Sequence, residues 1–330
     1  MPRCLKKLLF VGSIAFIPSQ AFAQTFGSIS TQSTQAPGAT QVDVTGLATP
    51  AGHVVSFDMG SYEYVEPGET SISIHGPKFG GGYTGTKSLN ASRHWFLQAD
   101  ARGLFGSATY DGWCSPLLIA PERTSPNGWA LGLGDPSPCT ESGDRDWYVE
   151  SRAMVGKDFI GHTWGWSPEI GLGVRHLSNG TTGVPGHRTE DYLYLPVGMT
   201  ARTVVASHHA LSFSVEYDHL LHGWQTTRDS QLGGGDVPAT PIAPAFTIEG
   251  FSDISFDQHS GWALRASVKY QITRRWSVEP QYIHWNVGAS PVNYETATFT
   301  VNGITARQQL GAYEPLNRTN EFVGRLGFRF

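Results

Sequence analysis

The last thirteen residues carry the pattern that most constrains the fold. Between Arg318 and Phe330, one set of alternate residues is mostly apolar and aromatic, and the other set is mostly charged or small. A period of two predicts a β-strand with two unlike faces. Since the apolar face runs to Phe330, we expect the closing strand of a membrane barrel, with lipid on one side and a polar lumen on the other.

With this strand the chain resembles bacterial outer-membrane β-barrel proteins, whose last strand commonly ends in Phe. At the level of architecture it is similar to the small opacity-type and OmpA-like barrels. The resemblance implies a location in the Gram-negative cell envelope, in the bacterial outer membrane, and contact with outer-membrane lipid. It also implies that the barrel-assembly machinery recognises the C-terminal strand, with Phe330 as the signal.

The N-terminal part of the chain divides into two segments. Residues 1–23 combine basic residues, a short apolar run and Ala21-Phe22-Ala23, which predicts a secretory signal peptide. The apolar run is too short for a membrane anchor, which needs about 20 residues. Residues 24–52 are rich in small and polar residues, so we expect a flexible periplasmic tail, with the barrel occupying residues 53–330.

The charge of the chain excludes one class of partner. The full chain has 23 basic and 28 acidic residues. Cleavage after residue 23 would remove three basic residues and no acidic one, leaving a formal charge of −8. A nucleic-acid partner is therefore not expected.

After residue 52 the chain alternates between patterned runs and breaks. We predict an all-β fold, a transmembrane antiparallel up-and-down β-barrel of about ten strands with long extracellular loops and short periplasmic turns. A soluble ten-stranded barrel is the alternative, although it has no reason to sort its loops by length. The predicted strands are 53–66, 70–87, 93–109, 146–159, 164–177, 190–203, 208–222, 260–272, 275–287 and 318–330.

Aromatic residues cluster near the predicted strand ends, as expected for rings at the two membrane interfaces. One group falls near the periplasmic ends and a second near the outer ends. The first group is Trp95, Trp164, Trp166 and Trp276, and the second is Trp147, Tyr192, Tyr194, Trp262 and Trp285.

Three loop features are predictable. Cys114 and Cys139 lie in one loop of a chain directed to an oxidising compartment, which predicts a disulfide bond. Two cysteines without a nearby histidine are too few for a metal site, and neither metal nor cofactor is expected. Asn302-Gly303 between β-prone segments predicts a tight hairpin turn, while residues 223–259 are rich in Gly and Pro and are predicted to be mobile.

The inward faces of the strands carry nearly balanced charge. Balanced charge favours a lumen closed by ion pairs, whereas glycines on the same faces leave room for water or a narrow path. The predicted lumen network is Asp100, Arg102, Glu150, Arg152, Glu169, Arg175, Glu216, Arg265, Lys269, Glu279, Glu321, Arg325 and Arg329.

A catalytic site has weak support. Asp218 and His222 lie near the outer end of the seventh strand, and ten-stranded omptin proteases use an Asp–His pair at that rim. No motif matches residue by residue, so an enzyme is not expected. We expect a structural or surface-interaction protein that meets an unknown extracellular ligand through its loops. A narrow porin-like channel is the alternative, and a rim protease is a third hypothesis.

Overall fold

The first and last barrel strands pair with each other, so the sheet closes on itself. The computed structural model describes residues 44–68, 71–90, 94–180, 187–206 and 209–330. The predicted signal peptide, and residues 24–43 of the predicted tail, lie outside these ranges. Each barrel strand pairs antiparallel with the next, and the strands are β1 (Gly52–Glu66), β2 (Ile72–Asn90), β3 (Trp95–Cys114), β4 (Ser137–Lys157), β5 (Trp164–Gly180), β6 (His187–Ala206), β7 (His209–Arg228), β8 (Gly261–Gln271), β9 (Trp276–Val287) and β10 (Asn317–Arg329).

The strand predicted from the C-terminal alternation takes the closing place. It pairs with β1 from Val54 opposite Arg329 to Val65 opposite Arg318, and its other edge pairs with β9. The predicted fold class and strand number are thereby confirmed. Closure leaves no free edge on either terminal strand, which a sheet in lipid requires.

The outer surface of the barrel is apolar. On β1, Val55, Phe57 and Met59 are exposed, while the alternate residue Asp58 is completely buried inside. The same alternation recurs on the other strands and gives an outward apolar belt, as a membrane barrel needs. The four rings predicted at the periplasmic strand ends, Trp95, Trp164, Trp166 and Trp276, are exposed.

Three of the predicted interfacial rings face inward instead. Tyr192, Tyr194 and Trp285 are buried inside the barrel, where Trp285 contacts both tyrosine rings at centroid distances of 5.4 and 5.2 Å. Their positions near the outer strand ends were predicted, but their assignment to the lipid interface was wrong. Trp147 is exposed, as expected of an outer belt residue.

The segment just before β1 is packed against the periplasmic end of the barrel. Val44–Leu47 forms a 3-10 helix, and Leu47 is completely buried. Thr49 donates hydrogen bonds from its backbone nitrogen and its hydroxyl to Asp158, at 2.9 and 2.6 Å. A Cβ on Gly165 would lie 2.2 Å from the Leu47 carbonyl oxygen, so the approach requires glycine. The predicted tail therefore does not extend to residue 52, because residues 44–51 are held by these contacts.

The extracellular loops are folded. Leu117–Pro121 pairs with Trp129–Leu133, and a four-stranded sheet contains Gly235–Val237, Phe246–Phe251, Asn293–Val301 and Ile304–Ala312. The predicted turn is confirmed, with positive φ at both Asn302 and Gly303. Residues 223–259 were predicted to be mobile, but much of this segment forms β-strands. The remaining short elements are Phe159–Ile160, Ile254–Gln258 and the 3-10 helix Asp229–Gln231. Within the described residues, no helix is long and apolar enough to cross a membrane.

These loops share an apolar core of their own, and we call the assembly the extracellular cap. Its core is separate from the cluster inside the barrel, and Gln308 joins two of its hairpins by bonding both the backbone nitrogen and the carbonyl oxygen of Leu131, at 2.7 and 2.8 Å. Burial of this apolar area holds the loops in one shape. The buried core residues are Ile119, Leu131, Phe246, Ile248, Ala297, Phe299, Val301 and Ala306.

Candidate functional site

Buried charges cross the middle of the lumen. Arg265 lies at their centre and donates to Asp218 at 2.6 Å and to Glu150 at 3.0 Å, with Glu216 3.2 Å away. Arg102 donates to the same Glu150 at 2.8 Å. One carboxylate therefore serves two guanidinium groups. We call the whole set the charge layer, and it consists of Asp100, Arg102, Glu150, Arg152, Arg175, Glu216, Asp218, Arg265 and Glu321.

The charge layer links strands on opposite sides of the barrel. Arg152 on β4 bonds Asp100 on β3 at 3.0 Å and also pairs with Glu216 on β7. Arg175 on β5 pairs with Glu321 on β10. The Arg152–Glu216 and Arg175–Glu321 pairs cross the lumen, because the strands that carry them are not neighbours in the sheet. These ion pairs therefore lie within the interior of the barrel.

Aromatic rings fill the lumen beside these charges. Tyr148 donates to Glu321 at 2.6 Å, and its ring centroid lies 4.2 Å from the Arg175 guanidinium carbon. Tyr194 donates to Glu150 at 2.7 Å. These hydroxyl groups supply further hydrogen bonds to the buried carboxylates, as buried charges require. We call the rings the ring cluster, and its members are Tyr62, Tyr148, Tyr192, Tyr194 and Trp285.

Some of the inward glycines make room for these rings and not for water. A Cβ on Gly173 would lie 2.2 Å from the Tyr194 ring, and a Cβ on Gly156 would lie 2.3 Å from the Phe96 ring. At these positions the expectation of a path along the glycines was wrong. Glycine at these positions leaves space for a large aromatic side chain on the neighbouring strand. The lumen is packed more densely as a result.

The periplasmic half of the lumen contains a polar cavity of about 210 Å³. The remaining predicted network residues line it: Glu169, Lys269, Glu279, Arg325 and Arg329. Glu279 accepts from Ser267 at 2.8 Å, and Arg329 donates to the carbonyl oxygens of Pro50 and Ala51 at 3.3 and 3.1 Å.

Arg325 does not pair with another member of the predicted network. It donates to Asp58 at 3.0 Å across the junction of β10 and β1. Asp58 is not in the network predicted from the sequence. The alternation of Val55, Phe57 and Met59 around it is the signal that places it inside.

A second ion-pair cluster lies at the extracellular rim and was also missed. Arg188 on β6 pairs with Glu66 on β1 at 3.3 Å and with Glu314 in the last loop. Tyr64 donates to both carboxylates, at 2.9 Å each. Burial raises the pKa of the Glu314 carboxyl to about 7, although Arg188 acts in the opposite direction. This cluster fastens the last loop to the barrel.

The predicted disulfide joins Cys114, the last residue of β3, to Cys139 near the start of β4, with their Cα atoms 5.8 Å apart. The prediction is confirmed. The bond closes the segment that contains the Leu117–Leu133 hairpin, so it fixes one hairpin of the extracellular cap to two adjacent barrel strands.

The two catalytic candidates do not meet. Asp218 is buried in the charge layer and bonds Arg265, while His222 faces outward and lies 3.2 Å from Asp257. A β-bulge between Leu220 and His222 shifts the alternation by one residue, so the two side chains point to opposite sides of the wall. In the described part of the chain, no group of three His, Cys, Asp or Glu residues could hold a metal ion.

Comparison with known proteins gives similar architecture at low identity. No family model and no curated protein matches the chain. Among solved structures, the outer membrane protease OmpT of Escherichia coli matches with 11% identity and a TM-score of 0.45, over 86% of this chain and 98% of that one. The translocator domain of autotransporter NalP from Neisseria meningitidis matches with 9% identity and a TM-score of 0.34, over 87% and 91%. The Pseudomonas putida toluene transporter TodX matches with 10% identity and a TM-score of 0.30, over 85% and 89%.

The closed sheet, its apolar exterior and its polar interior define the class of the protein. Strands cross a membrane only when every edge is paired, and the ten-stranded barrel meets that condition. The protein is an outer-membrane β-barrel of the bacterial cell envelope.

Proposed function

We propose that this protein is a closed barrel that carries the extracellular cap as a surface for interaction with an external partner. The observation behind the proposal is that three loops share one apolar core above a lumen filled by the charge layer and the ring cluster. A folded, disulfide-linked cap has already lost its loop freedom, which lowers the entropic cost of binding a partner.

Charge suggests the chemistry of that partner. The described loop residues 115–136, 229–260 and 288–316 contain nine Asp or Glu residues but only two basic residues, Arg123 and Arg307. Asp229 and Glu314 are buried, so seven of the nine acids contribute to the surface. An acidic surface attracts cationic partners and speeds their encounter. We therefore infer that the unknown extracellular ligand presents a cationic surface.

The channel hypothesis is the second candidate, and the polar periplasmic cavity is the observation that favours it. Single-channel conductance of the refolded protein in a planar bilayer separates the two, with heat-modifiable gel migration as the check that the barrel has folded. We expect a silent membrane for the native protein, with or without reductant. A variant carrying both Tyr148→Ala and Arg175→Ala removes bulk from the lumen and should conduct, which shows that the assay detects an open barrel.

The result that contradicts the closed-barrel proposal is steady conductance by the native protein. The cap is tested separately by replacing three of its exposed acids, with Asp135→Asn, Asp236→Asn and Glu249→Gln. This replacement should weaken adhesion of intact cells to a cationic surface while leaving the barrel heat-modifiable. Unchanged adhesion would remove the cap from the proposal.

A further inference from the structure

The outer wall formed by β4, β5, β6 and β7 contains a groove of about 540 Å³. Val149, Val174 and Leu193 contribute apolar side chains to it, and Trp224 lies at one side. Val149 and Val174 are about half exposed although they are apolar. On the lipid-facing wall of a membrane barrel such a groove is covered by the acyl chains of membrane lipid.

The groove lies towards the outer leaflet. Trp164 marks the periplasmic end of β5, and His176 is twelve residues further along the same strand. At about 3.3 Å per residue and a tilt of about 40°, twelve residues rise roughly 30 Å, which is the thickness of the hydrocarbon core. His176, which lines the groove, is therefore level with the start of the outer headgroups.

Polar pairs occupy this upper edge. His176 Nδ1 lies 2.7 Å from Asp191 Oδ1, and its ring centroid lies 5.2 Å from that of Trp147. One step further out, Ser178 Oγ lies 2.8 Å from His187 Nε2. Both pairs form between β5 and β6 and not within one strand.

Two arginines stand above the groove. Arg145 pairs in register with Gly180, and Arg228 pairs with His187, which places them in one row across four neighbouring strands. Three strand spacings separate them, or about 14 Å. Both side chains are exposed, on the same alternation as Trp147 and Trp224 below them, and neither has an ion-pair partner among the described residues.

We propose that this wall binds a phosphate-bearing lipid of the outer leaflet. Arg145 and Arg228 hold its phosphate groups, the tryptophans lie at the interface, and an acyl chain fills the groove. Arginine is suited to phosphate because its guanidinium donates two parallel hydrogen bonds. The vertical order of cation, ring and aliphatic side chain matches the order of phosphate, interface and acyl chain in a lipid.

The test measures binding of lipid A, and of the same lipid after removal of its phosphates, to the folded full-length protein in a neutral detergent. Replacement of both arginines, Arg145→Gln with Arg228→Gln, should weaken binding of lipid A by roughly 30-fold, since each cation beside an anionic lipid contributes about fivefold. The control variant Arg123→Gln with Arg307→Gln removes two exposed charges from the extracellular cap and should bind as the native protein does. A Val174→Phe variant should weaken the binding of both lipids, because the larger side chain fills the groove.

Three outcomes would overturn the proposal. They are equal binding of the phosphorylated and dephosphorylated lipids, an equal loss in the control variant, and full competition by inorganic phosphate. The last result would identify a site for free phosphate that needs no acyl chain. Heat-modifiable migration of every variant shows that a loss of binding does not come from misfolding.

Discussion

Replacement of Arg175 by Met removes one charge from the interior while keeping most of the side-chain volume. Arg175 is almost fully buried and pairs with Glu321, which is equally buried. Without the guanidinium, the Glu321 carboxylate stays inside the barrel with one partner fewer. The predicted effect is a large loss of stability, because a buried charge without compensation is far more costly than a missing hydrogen bond.

The size of the loss follows from the contacts that remain. Breaking a buried ion pair by removing one partner typically costs about 3–5 kcal/mol. Glu321 would keep the Tyr148 hydroxyl at 2.6 Å and the Arg102 guanidinium at 4.0 Å. These contacts favour the lower end of the range. We expect about 3 kcal/mol, which is roughly a 150-fold shift in the unfolding equilibrium.

The assay is urea unfolding in detergent, followed by heat-modifiable gel migration. The double variant Arg175→Met with Glu321→Gln removes both charges and should recover a large part of the lost free energy. Arg123→Met, at an exposed cap position, serves as the matched control and should unfold as the native protein does. If Arg175→Met alone left the urea midpoint unchanged, the charge layer would not be the buried network that its geometry indicates.

Three further perturbations test other parts of the molecule. Replacing Cys114 and Cys139 by Ser should lower the free energy of unfolding by about 3 kcal/mol in the chain-entropy model, and should make the 115–136 segment open to trypsin at Arg123. Because the pKa of Glu314 is about 7 in the folded protein and its ordinary value is 4.5, the folded state holds a proton between those pH values that the unfolded chain releases. The free energy of unfolding should therefore fall as pH rises from 4.5 to 7, by at most about 1.4 kcal/mol per pH unit, and Glu314→Gln should remove this slope in urea midpoints. Gly165→Ala should displace residues 44–51 from the barrel end, and increased thiol labelling of an Ala48→Cys reporter would detect it, whereas unchanged labelling would show that the segment is not held there.

The barrel itself could be predicted because lipid and lumen impose opposite chemistry on alternate residues. Where the two faces of a strand have similar polarity, the sequence does not show which face meets the lipid. On β6, Tyr192 and Tyr194 alternate with Leu193 and Leu195, so both faces look apolar and neither is marked as the lipid side. The tyrosines point inward because their hydroxyl groups donate to buried carboxylates, Glu190 on the same strand for Tyr192 and Glu150 on β4 for Tyr194. Neither contact is visible in the alternation of apolar residues.

Other features depend on single residues or contacts that leave no periodic pattern in the sequence. The bulge at Leu220–His222 reverses the alternation and separates His222 from Asp218. Composition predicted a tail before the barrel, yet one buried side chain, Leu47, and the hydrogen bonds of Thr49 to Asp158 suffice to hold residues 44–51. A disulfide needs only two cysteines in the right compartment, which is why that prediction held.

The junction between β10 and β1 has a consequence for how the chain completes its folding. Glu321 and Arg325, both on the final strand, bring the countercharges for Arg175 and for the wholly buried Asp58. Until that strand arrives, opposite charges on the first and fifth strands are left without partners. A chain that ends before residue 317 would therefore lack the hydrogen bonds between β10 and β1, and its buried Arg175 and Asp58 would have no countercharge. Uncompensated charge in the interior would by itself distinguish a truncated barrel from a complete one.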